Sequence, residues 1–322
     1  MTPAAVVSPI PDDGRPHRLP LARVIIGAFA VTLVRPSTWA LGLAGFLAGG
    51  GLVLVSIPVV VLPTPTGFQN GLGGPISSLV FGTPSTALLT IIAFGVSGGV
   101  VLLLLATLTA AWAERQAIPI ALGAAAEEGI LPPADLAGAP GTLRVAGLRL
   151  LGLVPVGVAI ALAYPAVYAA AYHELVLPDD LATPLPVRVV REVPWQLLAI
   201  ALTWLVADAA ASVGVRRLVQ ERRALLRAWA LGWVDLVRRP VRVMGTAIVG
   251  LGVLAVLVAP ALFAAALGWD RVRDVLDEGR DPLTVGLAVG IWVAIWLGTL
   301  VLAGVGAAIR AAAWTLQTAH RA

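Results

Sequence analysis

Cysteine and lysine are both missing from this chain of 322 residues. Without cysteine there is no disulfide, no thiol catalysis and no cysteine-ligated metal, and the compartment is left open. Without lysine, all 22 basic residues are arginine, so the net charge of +4 and the pI near 10.5 rest on guanidinium groups alone. Beside so much Ala, Gly, Pro and Val, that bias is as consistent with genome composition as with selection for arginine chemistry. Charge of either sign is scarce, at 12% against about a quarter in soluble domains. What replaces it is apolar: 59% of the residues are hydrophobic and the mean hydropathy is +0.92. A chain of this kind belongs in a bilayer. Its basic charge lies next to apolar spans and suits anionic lipid headgroups; nucleic acid would need a basic folded surface outside the membrane.

Residues 1–17 hold four prolines, Asp12 and Asp13 and no apolar period, and read as a disordered tail without a signal peptide. From Arg18 to Val34 the chain is mostly apolar, then breaks at Arg35-Pro36, as expected of a helix lying in the interface before the first span. A bilayer core takes about 20 apolar residues in helix. By that length six spans are expected, at 38–62, 85–112, 145–172, 195–215, 241–267 and 283–309. With both termini and the loops after the second and fourth spans on one side, that side carries 17 arginines and the other 5. Arginine is costly to move through hydrocarbon, so both termini are expected in the cytoplasm, with the protein in the plasma or inner membrane.

Landmarks recur three times along the chain. Odd spans follow an arginine and carry a late proline: Arg35 then Pro58, Arg144 then Pro165, Arg239 then Pro260. Even spans open after a proline and close on arginine: Pro84 to Arg115, Pro194 to Arg216, Pro282 to Arg310. The expected fold is an all-α polytopic bundle of three tandem hairpins, over 18–115, 116–215 and 216–318, with interfacial amphipathic helices. The plainer alternative is that Pro and Arg mark span ends in any membrane protein. The hairpins resemble mitochondrial carriers in outline only. Those carriers follow the proline with an acid and a base near the matrix end, whereas Pro58, Pro165 and Pro260 lie in apolar sequence towards the outer side. Entry into spans through Leu33-Val34-Arg35-Pro36 and Val237-Arg238-Arg239-Pro240 resembles six-helix bacterial membrane proteins similar to the membrane domain of glycerophosphodiester phosphodiesterases. That resemblance implies no catalytic residues, because in that family the chemistry resides in a separate soluble domain.

The stretch 216–242 gathers Arg216, Arg217, Arg222, Arg223, Arg227, Arg238, Arg239 and Arg242 around only Glu221 and Asp235. Leu218, Leu225, Trp229, Trp233 and Leu236 fall at steps of seven, four, four and three and predict one apolar helical face. The arginines then contact anionic lipid or a protein partner in the membrane, or they serve topology and anchoring alone. Asp208 is the acid well inside a span, about 12 Å from Arg216 at 1.5 Å per residue. An intramembrane carboxylate points to a cation, proton or substrate site; the alternative is structural glue to a Ser or Thr on a neighbouring helix. Tyr164, Tyr168 and Tyr172 share one face of the third span, and if they face inward with Asp208 the middle hairpin carries a polar path. For Tyr172 the other reading is the aromatic belt.

Three further patterns are weighed and set aside. Gly95-Val96-Ser97-Gly98-Gly99 matches G-x-S-x-G, and a Gly-x-Ser-Gly run also resembles rhomboid proteases. A serine nucleophile needs a base, and the histidines, His17, His173 and His320, sit in the tail, at an outer helix end and at the C-terminus. The glycines predict close helix packing, as do Gly45-x-x-x-Gly49 and Gly286-x-x-x-Gly290. The outer acids Glu174, Asp179 and Asp180 with His173 lack metal-ligand spacing and read as a solvated loop. Asp270, Asp274, Asp277, Glu278 and Asp281 interleave with Arg271, Arg273 and Arg280 and predict a short salt-bridged outer helix. The expectation is a non-enzymatic membrane subunit or scaffold contacting anionic lipid, with no cofactor, metal or nucleic acid, and with a protein partner or a second copy in the membrane. The alternative is a small-solute or ion transporter lined by Asp208 and the tyrosines.

Overall fold

The computed structural model describes residues 19–60, 85–134, 138–176 and 183–319, and the chain is helical throughout, with no strand among these residues. Six of its helices are long and apolar enough to cross a membrane, in the order that the apolar runs predict, which makes this a multi-pass all-α bundle. In chain order the helices are α1 (Leu21–Val34), α2 (Ser37–Val59), α3 (Thr86–Glu127), α4 (Thr142–Val176), α5 (Leu185–Glu192), α6 (Pro194–Gln220), α7 (Leu225–Arg238), α8 (Pro240–Asp277) and α9 (Pro282–Thr318). The predicted tail at 1–17 lies outside the described residues.

Both Arg-Pro breaks do what their chemistry dictates. A residue before proline is pushed out of the α region, and Arg35 (φ −121°, ψ 82°) and Arg239 (φ −140°, ψ 55°) leave it, ending α1 and α7 just before α2 and α8 begin. Proline then opens the next helix, where its missing N–H costs nothing. The joint at Arg35 is pinned by the Trp39 indole, which donates to the Thr32 carbonyl at 2.8 Å, and by an ion pair from Arg35 to Glu127 at the end of α3.

Three boundaries differ from the sequence reading. Helix α3 does not stop near residue 112 but runs through Pro119 to Glu127, because Glu114 finds partners inside the bundle and Gly129 (φ +66°) is where the chain turns. There the Ile130 N–H bonds back to the Ala125 carbonyl at 2.8 Å, closing the helix end. The acid-rich stretch after the fifth span is no separate helix, since α8 continues to Asp277. Finally, α2 breaks at its glycines rather than at its late proline. It opens into a π-turn at Leu47–Gly51, with Gly50 at φ +103°, while Pro58 sits in a closing 3-10 turn.

At the start of α9, Asp281 caps the helix, accepting from the Thr284 N–H at 3.0 Å and the Thr284 hydroxyl at 2.6 Å. Those bonds hold the Asp281 carboxyl below the usual aspartate range. A depressed carboxyl stabilises above its unfolded pKa and loses that contribution as pH falls through the folded one. The protection of the Thr284 amide, its exchange relative to the intrinsic rate at each pH, is therefore expected to hold at neutral pH and to fall only below the ordinary aspartate range. Asp281→Ala removes that protection at every pH.

Burial is concentrated at the end that carries α1 and α7, called basal here. The C-terminal parts of α3, α6 and α9, the start of α4 and one face of α1 form a core around Val24, Ala28, Ile118, Leu148, Val215 and Leu316. Helix α9 is the axis, touching α1, α2, α3, α6 and α8. Small residues let it approach α2 closely: a Cβ on Gly42 would lie 2.4 Å from the Gly304 carbonyl oxygen. Towards the other end the helices splay. From Leu89 to Leu105 α3 has no buried residue, and neither has α9 from Leu283 to Gly298. There the indoles of Trp292 and Trp296, donating to the carbonyls of Ala265 and Val55 at 3.1 Å each, keep α8, α9 and α2 together.

Candidate functional site

Five ionisable side chains from four helices meet inside the bundle. On α4, Arg149 presents a two-pronged contact to Glu114 of α3, Nε to Oε2 at 2.8 Å and a terminal nitrogen to Oε1 at 2.6 Å. Its other terminal nitrogen reaches Asp208 Oδ1 on α6 at 3.0 Å. Arg216, one helical face along from Asp208, also donates to Glu114 and spans to the carbonyls of Ser212 and Ala311 at 3.3 Å each. Arg310 of α9 completes the set by pairing with the second Asp208 oxygen. Planar guanidinium forks suit this shared recognition of carboxylates. The cluster is not superficial: Arg149 lies about 10 Å along α4 from Thr142, and Arg310 about 12 Å along α9 from Thr318, at ~1.5 Å per residue.

This network floors a cavity of about 450 Å³ between α2, α3, α4, α6, α8 and α9. Its ionisable lining is Glu114, Arg149, Asp208, Arg216 and Arg310, three bases against two acids, which leaves one positive charge. The upper walls are apolar, from Leu41, Phe46, Leu103, Leu153, Val156 and Leu254. Gly49 and Gly50 of the α2 break line it too. Non-helical backbone at membrane depth is tolerated where it is covered by protein or faces a cavity, so the break and the cavity explain each other.

The candidates named from sequence separate under this geometry. Asp208 does face the interior, and its partners are two arginines rather than a Ser or Thr hydroxyl. The tyrosines do not join it. Tyr164, Tyr168 and Tyr172 are 62%, 57% and 47% exposed, stacked on one another along the outside of α4, so the expected polar path through the middle hairpin is corrected. Arg216 is also corrected from a lipid-contacting residue to an interior one, with only 2% of its side chain exposed. Arg217 is held by Asp235 at 2.5 Å and Glu221 at 2.8 Å, and half-buried Arg242 donates to the carbonyls of Leu19 and Gln317. Arg222, Arg223, Arg227, Arg238 and Arg239 are exposed. The predicted apolar face is split, since Leu218 belongs to α6 and only Leu225, Trp229, Trp233 and Leu236 lie on α7.

Of the patterned glycines only Gly45 meets a neighbouring helix within the chain, at Ala113. Gly49, Gly95, Gly98, Gly99, Gly286 and Gly290 have nothing within 4 Å of where a Cβ would stand. Glu174, expected in a solvated loop, is buried in an ion pair with Arg188 at 3.0 Å, while Asp179 and Asp180 lie outside the described residues. Among the described residues no group of acids and histidines is placed to hold a metal.

Sequence reasoning overlooked Glu114, Arg149 and Arg310. Arg310 marks only the close of a span in the sequence, and Glu114 and Arg149 stand unremarked. The available signal was balance: an arginine within a span needs an acid at matching depth, and Asp208 and Glu114 are the acids at that depth. No protein-family model, no curated protein and no solved structure matches the chain.

Proposed function

We propose that this protein is a membrane-embedded carrier that binds a small solute bearing an anionic group in the cavity above the arginine–carboxylate network. The observation that carries this reading is the surplus of one positive charge in a half-enclosed site of about 450 Å³ within the spanning bundle. Buried charge is retained against its desolvation cost where it works on a ligand or specifies a structure. A scaffold needs neither the cavity nor the broken helix beside it. Mostly apolar walls with a few convergent polar groups are what ligand sites of this size are made of. The arginine bias towards the basal end supports a cytoplasmic basal side in a plasma or inner membrane.

A second reading, a membrane subunit seated on anionic lipid, draws on the exposed Arg223, Arg227, Arg238 and Arg239 around α7. Native mass spectrometry of the chain in discs of its own lipids separates the two. A carrier leaves the disc with one small anion bound. Arg310→Gln loses that anion, because it removes the surplus charge while Asp208 keeps Arg149 at 3.0 Å. A chain that carries no small anion and holds a stoichiometric protein partner overturns the carrier.

A further inference from the structure

The cavity's orphaned polar atoms are all donors. Arg216 Nε, Arg310 Nε and the Trp314 indole N–H are buried without an acceptor, and all three residues line the cavity. Of the lining arginines, Arg149 and Arg310 keep 22% and 20% of their side chains accessible, whereas Arg216 and Trp314 are each 2% exposed and back the site from within the packed bundle. No lining carboxylate, hydroxyl or amide oxygen among the described residues is left in the same condition. A buried donor without a partner is costly, and several donors around one surplus positive charge match an oxyanion.

The rest of the cavity selects what the oxyanion is attached to. Along α3 the lining passes from Ala121, 3% exposed, to Leu103, 49% exposed, so the site is sealed at the basal end and opens among the splayed helices. Its rim is made by Leu103, Leu153, Trp204 and the α2 glycines, all within helices long and apolar enough to cross a membrane. A free, fully hydrated anion would have to cross that apolar rim, whereas the head of an acyl chain reaches the site from the bilayer with its tail still in an apolar medium.

We infer that the ligand is an anionic amphiphile, a carboxylate or phosphate ester on an acyl chain, which enters sideways from the membrane and sets its oxygens against the accessible guanidinium groups of Arg310 and Arg149. This rests on the anion-site reading above and names its ligand class.

The test uses the full chain in phosphatidylcholine nanodiscs with a palmitate carrying a photoactivatable diazirine in its chain. Adducts are expected on Leu103, Val156 and Trp204, displaced by excess palmitate and not by inorganic phosphate. Losing one charge-assisted contact should cut labelling about tenfold in Arg310→Gln. The surface control Arg191→Gln leaves it unchanged, and Asp208→Asn, which frees Arg310 and raises the surplus charge, increases it. That opposite pair keeps a merely misfolded variant from counting in favour. Displacement by phosphate as effective as by palmitate would overturn the amphiphile and leave the anion site standing. Adducts confined to lipid-facing positions such as Ile160 and Leu202, or insensitive to Arg310→Gln, overturn it too. If the chain then still carries a small anion in native mass spectrometry, only the ligand class is wrong; if it carries none, the anion site falls with it.

Discussion

Glu114→Gln is expected to destabilise the bundle by about 3–5 kcal/mol, the cost of breaking a buried ion pair by removing one partner. Glutamine has the shape of glutamate, so the loss is electrostatic and not a packing defect. Glu114 accepts from both Arg149 and Arg216. In the variant Arg216, almost fully buried, keeps only neutral acceptors, the glutamine amide oxygen and the carbonyls of Ser212 and Ala311, and the surplus of positive charge in the cavity doubles. Unfolding in mixed micelles titrated with a denaturing detergent measures the effect. The double variant Glu114→Gln with Arg216→Gln should recover much of the loss, because the second change removes the charge that the first strands; a coupling of about 1–3 kcal/mol is expected. A single-variant effect below about 1 kcal/mol, the size of an exposed pair, would mean that water reaches the network and that its carboxylates are not holding buried charge.

The sequence carried the frame of this molecule because that frame obeys one-dimensional rules. Span length, apolar composition and the Arg-Pro joints act within a few residues, so six helices long and apolar enough to cross a membrane, and the short helices α1 and α7 that precede the Arg-Pro joints, were legible. The site was legible only at Asp208. Its partners Arg149 and Arg310 lie 59 and 102 residues away along the chain, a separation that no periodicity reports. Depth was misjudged for the same reason. Arg115 marks the close of a span in the sequence, yet α3 runs on to Glu127, with Glu114 turned to the network and Arg115 bonded to the Pro140 carbonyl at 2.9 Å. The tyrosine stripe was a correct helical face whose direction was unknowable: period fixes which residues share a face, and packing decides whether that face looks in or out. Here α4 gives its inward side to Arg149, Gly152 and Val156 and its outward side to the tyrosines.

Glycine motifs invite the same error, and substitution separates the glycines that hold the fold from those that only look as if they should. Gly232→Ala on α7 is expected to destabilise by about 2–3 kcal/mol, as overpacking does. Its Cβ would stand 2.2 Å from the Ala210 carbonyl oxygen, which belongs to the backbone of α6 and cannot rotate away. Gly42→Ala meets the Gly304 carbonyl oxygen at 2.4 Å and the Ala308 nitrogen at 2.7 Å and should cost as much, prising α2 from the axial helix beside the cavity. Gly98→Ala and Gly286→Ala fill open space and should gain up to about 1 kcal/mol from better helix propensity. All four are read in the same micelle titration, and the contrast in sign is the result that matters. If Gly98→Ala and Gly286→Ala lose stability as well, the outer halves of α3 and α9 are packed against a second chain, and the splay seen here belongs to the isolated protomer. If Gly232→Ala is tolerated, α7 is only loosely seated on α6 and its place at the basal end rests on Arg217 and Asp235.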